Sequence, residues 1–412
     1  MGREPESRYA WLRLGASLFL MTVGGVGMYV ISVALPEVQA EFGVARGGAS
    51  LPYTATMIGF GLGGILMGRL ADRFGVMVPT VVGGVCLGAG FVLAGMSRSL
   101  GEFSLVHGLL IGFLGCSATF APLVADTALW FNRRRGIAVA ICASGNYLAG
   151  TVWPPILQHF FAASGWRATY VGVGIFCTAS ILLVAPMLLS RPPAIGAVSG
   201  NSFSRSPAAR PLGLSPNALT VLLSIAGVAC CAAMSMPQVH IVAYCGDLGY
   251  GPARGAEMLS LMLGFGIVSR LASGWISDHI GGLRTLLLGS ALQGVALLAF
   301  LPSTGLASLY VVSALFGLFQ GGIVPAYALI VREHFAAREA GARTGVVLMA
   351  TLFGMALGGW MSGAVFDLTG SYRAAFVNGI GWNLLNLSIA SWLLRLSSTA
   401  PRAARAFPGS RP

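Results

Sequence analysis

Gly68-Arg69-Leu70-Ala71-Asp72-Arg73-Phe74-Gly75 closes one apolar run, and Gly274-Trp275-Ile276-Ser277-Asp278-His279-Ile280-Gly281 closes another 206 residues later (278 − 72). A second pair of landmarks keeps that spacing. Gly165-Trp166-Arg167-Ala168-Thr169-Tyr170 returns as Ser371-Tyr372-Arg373-Ala374-Ala375-Phe376 (373 − 167). A looser third pair is Arg135-Gly136 against Arg343-Thr344-Gly345. Two landmarks at one offset mean an internal duplication, so the architecture built by the first half is built again by the second.

The solvent of these halves follows from composition. Apolar side chains make up 56% of the 412 residues and charged ones 9%, too little polar surface to cover a water-soluble globule of this size. A bilayer core about 30 Å thick needs roughly 20 apolar residues per helical span, which leaves room for a dozen spans. Apolar runs recur near 12–35, 49–67, 77–97, 103–130, 137–161, 170–190, 218–244, 256–276, 285–301, 308–331, 345–366 and 376–394. The longest interruption, 191–217, is rich in Pro, Ser, Gly and Arg and reads as a linker. The expected organisation is an N-terminal six-helix half over 1–190, the linker, a C-terminal six-helix half over 218–395 and a tail over 396–412. The fold class is an all-α membrane protein of twelve transmembrane helices in two halves. The 58 glycines suit such a fold, because in lipid they let helices approach closely.

The net charge of +12 raises the question of nucleic acid, but the arginines are parcelled out between apolar runs instead of gathering on one soluble face. With the N-terminus inside, nineteen arginines fall in inner segments, among them Arg8, Arg13, Arg69, Arg73, Arg133 and Arg343. Five fall in outer loops: Arg46, Arg98, Arg167, Arg254 and Arg373. That asymmetry places both termini in the cytoplasm. The first apolar run, Trp11 to Leu35, is too long for a signal peptide and is expected to stay as the first helix. Seven cysteines lie mostly within apolar runs without C-x-x-C spacing, so neither a metal site nor a disulfide framework is indicated and no cofactor is called for. The absence of Lys suggests a GC-rich bacterial source, hence the inner membrane. A monomer is expected.

Arg270 does not fit the surface pattern. It precedes Asp278 by eight residues, about 12 Å along a helix at 1.5 Å per residue, which sets it near mid-membrane. A guanidinium there is costly unless it faces a wet cavity or a partner, so it is a functional candidate by default. Its planar fork matches a carboxylate. A structural ion pair with Asp126 is the alternative reading. Phe120, Asn146 and Gln320 each lie about ten residues, roughly 15 Å, from an inner helix end and so share the level of Arg270. Tyr327 is shallower, and Tyr29 and His240 lie toward the outside. His240 titrates near neutral pH when unperturbed and could couple protons. No paired His or Cys ligand spacing, Ser-x-x-Lys nucleophile or phosphate-binding glycine loop stands near the bilayer surface, so an enzyme is not indicated.

The twofold G-x-x-x-D-x-x-G loop resembles the signature of the major facilitator superfamily over essentially the whole chain. That resemblance implies that Asp72, Arg73 and Asp278 form a conformational latch holding the halves outward-facing, and simple loop capping by the two Asp residues is compatible with it. A narrower resemblance is to the monocarboxylate porters. Trp130-Phe131-Asn132-Arg133-Arg134-Arg135-Gly136-Ile137-Ala138, continuing to Ala140, Ser144 and Gly145, looks like their motif entering helix 5. Val239-His240-Ile241-Val242-Ala243-Tyr244, followed by Asp247-Leu248-Gly249 and Arg270, looks like their helix 7 to helix 8 region. Gly24-Gly25-Val26-Gly27-Met28-Tyr29 lacks the acidic start of the animal family's first motif, and Gly266 stands where that branch has an Asp. Proton-relay roles therefore do not carry over. The related oxalate and formate exchangers pair the helix 8 Arg with a helix 11 Lys, and Val346–Phe366 has no cation. One positive charge favours a substrate with one carboxylate. The resemblance thus implies a small-monocarboxylate transporter, proton-coupled and working by alternating access. The alternatives are a proton-driven exporter of drugs or amphipathic metabolites, or an exchanger of the oxalate/formate type.

Overall fold

The computed structural model describes residues 6–190 and 211–399. Most of the linker and of the C-terminal tail, with their arginines, lies outside the described residues. The described chain forms twelve long helical segments, α1 to α12. They are α1a (Arg8–Gly24) with α1b (Val26–Phe42), α2 (Leu51–Phe74), α3 (Met77–Met96), α4 (Leu100–Trp130), α5 (Arg135–Ser164), α6 (Trp166–Val184), α7 (Pro216–Asp247), α8 (Pro252–Ile280), α9 (Gly282–Phe300), α10a (Leu306–Gln320) with α10b (Ile323–His334), α11 (Ala337–Thr369) and α12 (Tyr372–Thr399). Among the described residues eleven segments are long and apolar enough to cross a membrane by composition alone. The twelfth, α12, is diluted by Asn378, Asn383 and Asn386.

The duplication is visible in the backbone. Gly75 and Gly281 end the two signature loops in the same conformation, φ 84°, ψ 162° and φ 83°, ψ 165°, a region that only glycine enters without strain. Equivalent helices also meet in the same manner. A Cβ at Gly63 of α2 would lie 1.9 Å from the carbonyl oxygen of Phe113 in α4, and a Cβ at Gly317 of α10a would lie 1.9 Å from that of Met262 in α8. In both halves the contact is backbone against backbone, which gains packing where lipid offers no hydrophobic drive between helices.

Three helices break inside the membrane. α1 is interrupted at Gly25. α4 loosens into a π-helical stretch, His107–Gly115, tightens through a 3-10 turn, Cys116–Thr119, and restarts at Ala121 with Pro122 in its first turn. α10 stops at Gln320 and restarts at Ile323 after Gly321-Gly322. The α4 and α10 breaks fall at corresponding positions of the repeat. At such breaks backbone groups lose their intrahelical partners and become available to other groups.

The halves, α1–α6 and α7–α12, touch along α5 against α8, α2 against α11 and α1b against α7. Within the second half a fully bonded polar network ties α7, α9, α10b and α12. The Tyr327 hydroxyl donates to Asn386 Oδ1 at 2.8 Å, Asn386 Nδ2 to Ser290 Oγ at 2.7 Å, and Asn383 Nδ2 to Gln293 Oε1 at 3.1 Å. Gln293 Nε2 in turn donates to the Cys230 carbonyl at 3.4 Å.

Candidate functional site

Arg270 projects from α8 at the seam with α5 and is half-buried. Its Nη1 donates to the Ala143 carbonyl oxygen at 3.1 Å, its Cζ sits 4.4 Å from the centroid of the Tyr147 ring, and its Nε is buried without a partner. Among the described residues no carboxylate pairs with it. The expected alternative partner, Asp126, is engaged elsewhere: Arg13 grips it with Nε to Oδ2 at 2.8 Å and Nη2 to Oδ1 at 3.0 Å, under the Trp130 ring. Arg13, counted among the inner-segment charges, is therefore engaged inside the first half instead of facing water. Arg13 and Arg46 are 2% and 8% exposed. Each is neutralised by an Asp, which makes burial tolerable.

The groups around Arg270 come from the first half. Tyr147, one turn after Ala143, packs its ring on α8 where Gly266 leaves room, since a Cβ there would lie 2.4 Å from Cε1. Tyr29 of α1b reaches α5 at Gly150 beside Leu263, and its phenol, like that of Tyr147, is within electrostatic range of Arg270. Asn146 is half-buried against the α1 break, with Oδ1 3.6 Å from where a Gly25 Cβ would be. The structure thus brings Arg270, Tyr29 and Asn146 to one place. Phe120 sits at the α4 break, edge-on to Phe60 at 5.7 Å. Gln320 ends α10a beside α8, fully buried with both amide atoms unpaired.

Tyr327 and His240 stand apart from this group. The Tyr327 hydroxyl is committed to Asn386, and His240 belongs to a cluster at the end of the bundle away from the chain termini, here called the distal end. In that cluster Arg46, opening the short helix Arg46–Ala49, crosses to the second half. Its Nη2 and Nη1 donate to Asp247 Oδ1 and Oδ2 at 3.1 and 3.2 Å, and Nη1 also donates to the Tyr372 hydroxyl at 2.6 Å. Asp367 accepts from the backbone N–H groups of Arg46 and Gly47 at 2.8 and 2.7 Å. Reading Arg46 as a loop charge missed this clamp. Sequence spacing also missed Tyr147, whose only signal was an aromatic on the helix that faces α8.

A family model described as Major Facilitator Superfamily matches residues 17–309 and 258–411. The chain belongs to the Major Facilitator Superfamily. It is 28% identical over 313 residues to Monocarboxylate transporter 13 of Bos taurus, covering 75% of this chain and 71% of the relative. It is 25% identical over 340 residues to the MFS-type transporter opdF of Penicillium oxalicum, covering 80% and 77%. In fold it is similar to a bacterial homologue of the human lysosomal transporter Spinster, with TM-score 0.71, 15% identity and 98% of this chain covered against 100% of that one. A peptide transporter POT in complex with sulfate gives TM-score 0.72 at 14% identity, covering 93% and 95%. The chain is thus a multi-pass membrane transporter of this superfamily.

The polar ties between its halves are uneven. Across the seam they run from the distal Arg46 clamp through Thr54 Oγ1 to the Ala356 carbonyl at 3.0 Å, and through Ser260 to the Thr151 carbonyl, as far as Arg270. Between Arg270 and the termini end, no hydrogen bond or ion pair joins the halves among the described residues. There Asp72, Arg73 and Asp278 are exposed, and Arg73 leans on its neighbour Phe74 at 5.2 Å. Among the described residues the polar ties between the halves are thus gathered toward the distal end.

Proposed function

We propose that this superfamily member carries small monocarboxylates across the membrane by alternating access, with Arg270 receiving the carboxylate. The carrying observation is a half-buried guanidinium at the seam that has one carbonyl, one aromatic face and no acid. Its Nε is buried without a partner, and a planar anion is the group that completes such a fork. Tyr29, Tyr147 and Asn146 would then shape the cavity around a substrate of modest size. The relatives named monocarboxylate transporters support this reading. The aromatic face beside Arg270 favours as a second reading the export of larger amphipathic compounds.

In the orientation that the arginine asymmetry supports, the termini end is cytoplasmic and Asp72 and Asp278 close it when the distal clamp opens. The signature loops would then form the inner latch and the Arg46 cluster the outer one. The test is competition for counterflow in liposomes holding the purified chain. A lactate-sized acid should compete, and its amide or methyl ester should compete at least about tenfold more weakly, because a charge-assisted pair contributes about 1.5–3 kcal/mol. Equal competition by the neutral analogues would exclude a carboxylate site.

A further inference from the structure

His240 sits on α7 in the distal cluster, fully buried, and both of its ring nitrogens are engaged. Nε2 lies 2.8 Å from the Gly359 carbonyl oxygen of α11, and Nδ1 lies 3.2 Å from the Tyr372 hydroxyl of α12. A carbonyl oxygen only accepts, so Nε2 carries the hydrogen and Nδ1 is left bare. Nδ1 therefore accepts from the Tyr372 hydroxyl, whose oxygen accepts from Arg46 Nη1. Each polar atom along the line from Arg46 to Gly359 is used in one direction.

We propose that His240 is a proton-binding site whose occupancy and the Arg46 clamp exclude each other, so that a proton taken up there releases the distal closure. A proton on Nδ1 converts the acceptor of the Tyr372 hydrogen into a donor. The phenol oxygen would then face two cationic donors, while its own hydrogen, in a buried position, would lose its acceptor. Two cations on one oxygen, with the phenol hydrogen buried and unpaired, set the imidazolium against the Arg46 contact. No covalent bond changes: the proton comes from water, the phenol keeps its hydrogen, and the hydrogen bond from Tyr372 to Nδ1 is broken. A cavity of about 460 Å³ lined by Gln39, Arg46 and Asp247 adjoins the clamp.

Charged and titratable groups face this position from the neighbouring elements. Arg46 comes from the short helix, Asp367 from the end of α11 and Tyr372 from α12. Asp247 and Tyr244 share α7, Arg373 of α12 lies near Tyr244, and Tyr53 of α2 packs at Gly359. Further along, Arg254 and Glu257 of α8 pair with each other and with Tyr310. Asp367 and Asp247 draw a proton toward the cluster, but both are held by donors of Arg46 and Gly47 and neither touches the imidazole. The hydroxyl is the element that proton and arginine would have to share. By linkage, a proton that favours the released form is itself expelled when the clamp closes. This inference concerns the closure itself and does not depend on which substrate is carried.

The experiment measures the distal separation of the halves in substrate-free proteoliposomes. Labels are placed at Arg98→Cys and Thr304→Cys, in the loops after α3 and α9, with Cys86→Ser because the other six cysteines are buried. Lowering the pH from about 7.5 to about 5, across the imidazole range, should move the population to longer distances, with the open-to-closed ratio rising by up to about tenfold per pH unit for one proton. His240→Gln should hold the short distance throughout, since its carboxamide can donate to Gly359 and accept from Tyr372. Tyr372→Phe keeps the ring and drops the hydroxyl, and it should also remove the pH response. A wild-type distance that ignores pH overturns the proposal. So does a response that persists undiminished in His240→Gln or, should that variant not fold, in Tyr372→Phe.

Discussion

Arg46 and Arg270 both stand between the two halves, and they are completed in opposite ways. Arg46 is gripped by a carboxylate and a phenol, with a second carboxylate on its own backbone N–H, and an aromatic ring, Phe366, lies 4.7 Å from its Cζ. Arg270 has one carbonyl and one ring. The protein supplies an acid and a phenol to Arg46, whose Nε alone stays without a partner, and supplies no acid to Arg270, where the proposed substrate would bring one. Arg13 extends the comparison, because its bidentate Asp126 lies within the same half and so serves the rigidity of that half instead of either task.

Perturbing the three arginine sites in turn separates these roles. Arg270→Ala should abolish saturable carboxylate transport while leaving folded yield intact, and Arg270→Lys, which keeps the charge but loses the fork, should bind weakly; counterflow and ligand-dependent thermal stabilisation report both. Retained stabilisation by the same acid in Arg270→Ala would move the site elsewhere. Next in size, Asp126→Ala leaves the Arg13 guanidinium buried and unpaired, and should lower stability by about 3–5 kcal/mol in thermal unfolding. The double change Arg13→Met with Asp126→Leu should recover most of that loss. Asp247→Asn weakens a pair whose acid is 38% exposed, so about 1 kcal/mol is at stake. It should shift the distal opening by roughly fivefold in the distance measurement and leave the affinity for substrate at Arg270 unchanged.

The smallest effect is expected at Glu6, which accepts from the Arg134 backbone N–H at 2.7 Å on the termini end. That bond holds its carboxyl below the usual value of 4.5. The associated stability is present above that value and fades as pH falls through the lowered one. Glu6→Gln should therefore differ from wild type at neutral pH and converge with it in acid, as followed by unfolding midpoints against pH.

The twofold plan was legible because a repeat of 206 residues and the period of the apolar runs are properties of one dimension. Gly75 and Gly281 even share their backbone angles, as two copies of one loop should. The partners of the charges were not legible. Depth along a helix follows from counting, but rotation about its axis does not, so Arg270 could be set at mid-membrane while Tyr147 and Ala143 could not be set beside it. Tyr327 counted as a pocket residue by depth, yet its face of α10b turns to α12. Arg46 was hidden by its position in a loop, where a charge normally meets water. The breaks in α4 and α10 were carried by Gly and Pro, residues that are too frequent in this chain for any one of them to mark a break.

The asparagines of α12 bear on how the protein is made. Asn383 and Asn386 find their partners on α9 and α10b, all of which leave the ribosome earlier. Presented to lipid alone, the last helix would expose two unpaired carboxamides on a segment of modest apolarity, a poor candidate for independent insertion. With the preceding spans already in the bilayer, the same carboxamides become the reason for it to enter at one rotation and no other. The last described helix therefore depends on α9 and α10b being in place before its two carboxamides are satisfied.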